Sequence, residues 1–529
     1  MRPDTVFGGQ QMSRSTPKSG HERFAKAFDT SHLDIGLGRR TVHSALVSAG
    51  SAILLMSVQI IQLTVLSRLL APEDFGLIAM AMVVTGVVRL FSDLGLTMAT
   101  IQREKITHDF VSSLFYIDVG FSIILMLLCW LAAPAAALIY SEPRVEMIII
   151  TIAVTFPISA FRSQSRALMA RNMLYLRLNI SAVAASVFGL AVTLVCAGLL
   201  NLGYWSIVVG TLAAAVFEAC ISWIIFPWRP GAVHSWAEAR SATRFGLNLL
   251  GANLAGWMWK QSDNALIGYR WDAAELGFYA RAYSILIVPL TLVSGPIGGA
   301  VIPALSRLQN KKEEWTSLLF STARIMAFFA GLMSVGLALN ADFLVEILLG
   351  PNWGRSASIF YYLTISIFPS LVWELARFIF LSLGRTSAML RYSIAAALIH
   401  VTAFAIGVQY GAEGVAIGLA IVSWLVMFPL LVICCRISGL TLRALVAQFL
   451  PSQMAMLLVW ALALALQTNM SIEGTLTETF VKSVAITTAY ILMHIMILPF
   501  HAGWRNDTKR MMSWIQSTFN RLLGAKGRC

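Results

Sequence analysis

The chain has 529 residues, of which 58% are hydrophobic and only 12% charged, against about 25% charged in an ordinary soluble domain. Too few polar residues remain to cover a water-facing surface, which excludes a water-soluble enzyme, a disordered protein and a coiled coil. Lipid is the alternative solvent. A spanning helix takes about 20 apolar residues, so the length allows many spans.

In chain order, residues 1–42 are rich in Ser, Gly, Pro and mixed charge and read as a disordered cytoplasmic tail. The first apolar run begins near Val42, too far along and too long for a cleaved signal peptide. Arg39 and Arg40 before it read as basic flanks of a span, not as a twin-Arg signal. Apolar segments follow at 43–66, 75–98, 111–133, 145–161, 178–200, 203–226, 245–265, 282–303, 320–341, 357–380, 388–408, 414–435, 444–467 and 479–500, about 14 spans in all. The fourth is short, and the stretch 178–226 divides at Asn201-Leu202-Gly203. Short connections in lipid leave an all-α, polytopic helical bundle as the architecture, because lipid cannot satisfy open backbone groups. Arg171 and Arg177, with Leu174 and Leu178, predict a surface helix between the fourth and fifth spans. In residues 501–529, Met511, Ile515, Phe519 and Leu522 recur at helical spacing among basic residues, predicting an amphipathic cytoplasmic helix on the inner leaflet.

Cys129, Cys196, Cys220, Cys434, Cys435 and Cys529 show no metal-ligand spacing. They read as small apolar packing residues, with no disulfide framework.

The net charge is +13. With the N-terminus placed inside, 29 of the 39 Lys and Arg fall on inside segments and only Arg68, Arg144, Arg270, Arg281 and Arg355 on outside ones. That bias puts both ends in the cytoplasm. It assigns the positive charge to an anionic membrane face and not to nucleic acid.

An internal echo organises the spans. The first outside loop reads S-R-L-L-A-P-E-D-F-G-L-I-A-M-A from Ser67, and the loop after the seventh span reads G-Y-R-W-D-A-A-E-L-G-F-Y-A-R-A from Gly268. Each places an Arg, an acid and then Gly76 or Gly277 before an Ala-rich span. Six spans separate the copies, so they share an orientation and imply parallel repeats about an axis along the membrane normal; chance similarity of two helix starts is the alternative. The expected organisation is a six-helix half at 43–226, a second at 227–435 around a central cavity, and two added helices within 436–500.

No P-loop, zinc-binding H-E-x-x-H, His/Cys metal cluster or Gly-rich dinucleotide loop is present. No catalytic residue, cofactor or metal is expected. His400 and His494 fall in spans as packing residues. A polytopic bundle without its own fuel domain is most simply a secondary transporter.

Charged residues within spans are the site candidates, since each costs about 2.5–3.5 kcal/mol at the bilayer centre. Arg89 and Asp93 stand i,i+4, while Lys260 with Asp263 and Glu374 with Arg377 stand i,i+3, so each pair shares a helix face. Either these pairs only neutralise one another, or Arg89, Lys260 and Arg377 line a cavity for an anionic substrate, with Asp93, Asp263 and Glu374 releasing those cations or taking up a proton or sodium ion. Asp118 and Glu218 have no partner on their own helices; either could pair across helices. Trp257, Trp259, Tyr269, Trp271, Phe278 and Tyr279 cluster around the seventh span, as an interfacial belt or as sugar-stacking residues at a cavity mouth.

Several runs together resemble a known family. They are S-R-L-L-A-P-E-D-F-G (67–76), F-S-D-L-G-L-T-M-A-T-I-Q (91–102), S-D-N-A-L-I-G (262–268), E-L-G-F-Y-A-R-A-Y (275–283), I-P-A-L-S-R-L-Q (302–309) and L-L-G-P-N-W (348–353). The chain resembles polysaccharide flippases of the Wzx type, in the multidrug/oligosaccharidyl-lipid/polysaccharide exporter superfamily, from about 43 to 435. It departs at Tyr269-Arg270, where the family often shows Gly-Arg, and in its long polar N-terminal segment. The resemblance implies transport of undecaprenyl-diphosphate-linked oligosaccharide across a bacterial cytoplasmic membrane by alternating access, alongside a polysaccharide polymerase and export machinery. It supplies no residue motif, so the site residues rest on charge placement. A cation-coupled drug exporter of the same superfamily would favour surplus acids in the spans, yet five span cations balance five acids. A membrane-embedded glycosyltransferase or polymerase would need a large outside loop with carboxylates, and the outside loops are short.

Overall fold

The computed structural model describes residue 28, residues 37–91, 96–103, 106–226, 228–232, 261–467 and 476–497, and residue 503. The expectations for most of the 1–42 tail, for Asp93, Lys260, Trp257 and Trp259, and for the amphipathic stretch after His501 lie outside the described residues.

Among the described residues there is no strand. The first group of helices is α1 (Leu37–Leu69), α2 (Pro72–Phe91), α3 (Leu96–Gln102), α4 (His108–Tyr140), α5 (Arg144–Ala153), α6 (Thr155–Arg171), α7 (Tyr175–Gly198) and α8 (Trp205–Ile225). The second group is α9 (residues 261–270), α10 (Ala273–Leu308), α11 (Lys312–Ala338), α12 (Ala341–Leu349), α13 (Gly354–Thr364), α14 (Ile367–Ser382), α15 (Thr386–Gly407) and α16 (Gly411–Ser438). Then α17 (Leu442–Gln467) and α18 (Leu476–Ile497) pack on α11. Nine helical stretches among the described residues are long and apolar enough to cross a membrane, or ten with the pair α13 and α14, which bends by 49° between Thr364 and Ile367. Large apolar side chains point outward, with Leu131, Leu138 and Ile224 each more than three-quarters exposed. Patches of this kind are rare on soluble monomers and ordinary against acyl chains.

The fourth span is not short. Helices α5 and α6 join through Val154 alone into one stretch, Arg144–Arg171. The expected surface helix around Arg171 and Arg177 does not exist. Arg171 is the last residue of α6, is buried, and donates from Nη1 to the carbonyls of Thr100 (3.1 Å), Ile101 (3.2 Å) and Arg103 (2.5 Å). These are the open carbonyls at the C-terminal end of α3. A cation there meets both the unsatisfied acceptors and the negative end of the helix dipole.

Hydroxyls inside the bundle are mostly satisfied by their own helix. Ser51, Ser67 and Thr85 each donate to the carbonyl four residues back at 2.7–2.9 Å. That keeps a polar atom in the bundle without a partner from lipid. Cys129, Cys196, Cys434 and Cys435 are buried and free, as packing residues.

The internal echo is structural. Asp74, third residue of α2, accepts from the backbone N–H of Tyr204 (2.9 Å) at the start of α8. Glu275, third residue of α10, accepts from the N–H of Ala412 (2.8 Å) at the start of α16. In each group the same position places a carboxylate between two helix N-termini, where the dipoles favour negative charge. The two copies then touch each other. A Cβ on Gly76 would overlap the carbonyl oxygen of Ala273, and one on Gly277 would overlap the carbonyl oxygen of Pro72. Pro72 and Ala273 are the first residues of α2 and α10, so the contact is reciprocal: the opening carbonyl of each helix lies where the other helix's glycine lacks a side chain. No residue larger than glycine fits either place.

Substituting Gly277 by Val should therefore force α2 and α10 apart at this end. Spin labels at the exposed positions Ala71 and Tyr269 should then report a separation several ångströms longer than in the unsubstituted protein; an unchanged distance would show that the glycine contact does not limit the approach.

Candidate substrate site

The glycine contact is one part of a longer seam between the two helix groups. Phe75 is buried, and the Arg281 guanidinium lies over its ring at 3.5 Å from the centroid. Trp353 packs on Phe75 from one side (5.6 Å) and on Phe278 from the other (5.8 Å), and its Nε1 donates to the carbonyl of Ser67 (2.8 Å). Arg68 donates from Nη2 to the carbonyl of Ile347 (2.7 Å). Both of these hydrogen bonds between the first and second groups lie at this end, where α1 turns into α2 and α12 into α13. The described residues fasten the two groups at this end.

Arg281 was assigned to an outside loop by its place in the sequence, but the structure puts it on α10, against α2. The signal was available: Arg281 stands four residues after Gly277, on the same helix face, and Phe75 stands next to Gly76 in the other copy. The aromatic cluster divides in the same way. Tyr279 is fully buried, and its hydroxyl donates to Asp263 Oδ2 at 2.8 Å, so it is neither a belt residue nor a mouth residue. Trp271 donates to the carbonyl of Val408 (2.6 Å), and Tyr269 is exposed.

Of the six charged candidates, Arg89 lies on α2 near its end, while Asp93 and Lys260 lie outside the described residues. Asp263 is buried on α9 and accepts from Tyr279 and from the backbone N–H of Asn264 (2.7 Å). Glu374 and Arg377 meet on α14, with Nε (2.8 Å) and Nη2 (2.7 Å) both on Glu374 Oε2. The Arg377 Nη2 lies near Gly298 of α10, 3.7 Å from where a Cβ would stand.

The cross-helix pairing of Asp118 and Glu218 is also found. Ser163 donates to Asp118, and Glu218 Oε1 takes Nη1 of both Arg162 (2.8 Å) and Arg166 (2.5 Å). Sequence position had placed both arginines in an inside loop, whereas the long α6 carries them one turn apart. In the second group the buried Arg324 donates to Gln448 of α17 at 2.5 Å.

A cavity of about 360 Å³ lies within the second group. Helices α10, α14, α15 and α16 form its wall with Gln261 of α9. Glu374 lines it; Arg377 does not. Among the described residues no group of His, Cys, Asp and Glu is placed to hold a metal ion.

Two groups of membrane-length helices joined along their second helices, with a cavity in the second group, make a multi-pass membrane protein. The family model described as polysaccharide biosynthesis protein matches residues 65–358, more than half of the chain, and the chain belongs to that family. The lipopolysaccharide biosynthesis protein WzxC of Escherichia coli (strain K12) is 21% identical over 395 residues, covering 73% of this chain and 79% of that protein. The succinoglycan biosynthesis transport protein ExoT of Rhizobium meliloti (strain 1021) is 21% identical over 302 residues, 57% of this chain and 61% of that protein. The fold is shared with the lipid II flippase MurJ in an inward closed conformation, at TM-score 0.68, 12% identity and coverage of 86% of this chain and 98% of that one. It is shared too with an inward-facing multidrug resistance transporter of the MATE family, at TM-score 0.61, 15% identity and coverage of 74% and 95%. The protein is thus a multi-pass membrane protein of the polysaccharide biosynthesis family.

Replacing Glu218 by Gln would leave Arg162 and Arg166 facing each other without their shared carboxylate. Because these groups are partly exposed, the loss of stability should be about 1–3 kcal/mol, read as a lowered midpoint of thermal unfolding in detergent; an unchanged midpoint would mean that the triad contributes nothing to the fold.

Proposed function

We propose that the protein is an alternating-access flippase that carries undecaprenyl-diphosphate-linked oligosaccharide repeat units across a bacterial cytoplasmic membrane, for exopolysaccharide or lipopolysaccharide synthesis. The observation that carries this reading is the seam between α2 and α10 in a chain of this family, with the described cross-group hydrogen bonds gathered at one end. A transporter that exposes its site to one face at a time must be fastened at one end and free to part at the other. The Lys and Arg distribution supports placing the seam on the outer side and both termini in the cytoplasm, so the described state corresponds to closure outward.

In this reading Arg89, Lys260 and Arg377 face the passage between the six-helix halves, 43–226 and 227–435, and recognise the diphosphate. Guanidinium groups suit that role because two parallel N–H donors match phosphate oxygens. Asp93, Asp263 and Glu374 hold the cations between cycles or exchange a proton or sodium ion. For Glu374 and Arg377 the support is direct contact: an anion reaching Arg377 would compete with Glu374 for the same two N–H groups. The relatives named for lipopolysaccharide and succinoglycan synthesis support the substrate class. The partners are membrane lipids and the polymerase and export machinery that take up the product.

Cells lacking the protein should accumulate lipid-linked oligosaccharide on the inner leaflet and stop exporting polymer; normal export would overturn the reading. In the complemented strain Arg377→Ala should abolish export while the protein is still found in the membrane fraction, and full export would remove Arg377 from the site.

A further inference from the structure

The cavity of the second group combines three features. The first is hydrogen-bonding capacity that the protein does not use. Ser294 and Ser366 on its wall donate to the carbonyls of Leu290 (2.9 Å) and Leu363 (2.7 Å), as serines in membrane helices usually do. Tyr283, Ser370, Ser393 and Ser423 also line the cavity, and their hydroxyls make no hydrogen bond among the described residues. Glu374 turns Oε2 to Arg377 and leaves Oε1 without a partner there. These groups come from three helices, α10, α14 and α15, and from α16 opposite. Polar groups inside a membrane bundle need partners, because lipid offers none.

The second feature is an aromatic platform. Trp373 and Tyr392 both line the cavity and stack with centroids 5.5 Å apart at 23°. Tyr392 is held there by its hydroxyl, which donates to the carbonyl of Val426 at 2.7 Å. The third is charge. Among the described residues no Lys or Arg lines the cavity, and the one carboxylate in the wall is already neutralised by Arg377. Such a wall suits neither a phosphate nor a free cation. It suits a neutral molecule with hydroxyls on its edges and C–H groups on its faces, which is a sugar ring. At about 360 Å³ the volume is at the small end of ligand sites, which run to roughly 300–1,000 Å³, and holds a short stretch of sugar rings but not a prenyl chain.

We propose that this cavity is a subsite for the sugar end of the transported molecule. The ring stacks on the Trp373–Tyr392 platform. Tyr283, Ser370, Ser393, Ser423 and Glu374 Oε1 take its hydroxyl groups, while the diphosphate stays outside on the cations. The assignment rests on the flippase reading above and deepens it, because it makes the sugar part of what is recognised.

The probes are the lipid-linked oligosaccharide that accumulates in cells lacking the protein, and the oligosaccharide freed from it by mild acid. Binding is measured by calorimetry on the full-length protein in lipid nanodiscs. The freed oligosaccharide should bind the unsubstituted protein. It should bind the triple variant Ser370→Ala, Ser393→Ala, Ser423→Ala about tenfold more weakly or worse, whereas sugar-free undecaprenyl diphosphate should bind both equally. Ser393→Ala alone, at a partly exposed position, should move in the same direction by a smaller factor and serves if the triple variant does not fold. Equal binding of the oligosaccharide to all three proteins, or none to the unsubstituted one, would overturn the subsite while leaving the flippase reading in place. Failure of the deletion strain to accumulate any lipid-linked oligosaccharide would instead overturn the flippase reading itself.

Discussion

The reciprocal approach of α2 and α10 is the constraint on which the rest of the structure turns. Two helices usually keep their axes about 8–10 Å apart because side chains stand between them. Gly76 and Gly277 remove that spacing at one level, and the opening carbonyl of each helix moves into the gap. The contact is local and buried. It leaves Phe75, Trp353 and Arg281 to cover it from the sides. Each half presents the same element to the other, so one short sequence, used twice, makes both surfaces of the seam. The acids Asp74 and Glu275 serve the same economy: each ties the start of its helix to the start of another in its own half, which fixes the angle at which the glycine is offered.

Much of this was legible in the sequence, for physical reasons. Lipid forces helices, so the spans appear as apolar runs, and α4, α7, α8, α11 and α16 fall where the runs do. The echo was legible because the seam demands a small residue and an acid at fixed distances from a helix start. What the echo meant was not legible: a glycine before a span reads as a turn until its neighbour, some 200 residues away in sequence, is known. The end of the fourth span was misread for a different reason. Arg162, Arg166 and Arg171 look like a loop by hydropathy, and only the pairing with Glu218 and with the carbonyls of α3 explains how a helix keeps them. The Glu374–Arg377 pair followed from i,i+3 spacing alone, since geometry within one helix needs no tertiary information.

Charges inside the bundle show two solutions to one problem. A lone ion in lipid costs several kcal/mol, and more if it cannot reach water. Arg171, Arg324 and Glu218 solve this by permanent contacts across helices, to carbonyls, an amide and two guanidinium groups. Such groups hold helices together and are poor candidates for binding, because a ligand would have to displace partners that the fold needs. Glu374 and Arg377 sit on one helix and bind each other. Separating them breaks no tie between helices, so the bundle need not loosen when a ligand takes one partner. This pair can rearrange with less disturbance to the fold than Arg171, Arg324 or Glu218.

Helix α10 joins the seam to the cavity. Its first turns carry Gly277 and Arg281, its next turns carry Tyr283 and Ser294 in the cavity wall, and Gly298 gives room to the Phe378 ring with Arg377 beside it. Pro289, Pro296 and Pro303 lie within it. Each proline removes a backbone hydrogen bond and crowds the preceding turn, which makes the helix easier to bend at those levels than elsewhere. A ligand shifts an equilibrium between two states only by the difference in its contacts with them. In the proposed reading, a sugar in the cavity and an anion at Arg377 would both touch, or lie beside, the helix whose first turns make the seam. On that reading, the contacts that would differ between an open and a closed seam lie on the same element as the proposed contacts to the transported molecule, and no longer chain of residues is required to connect them.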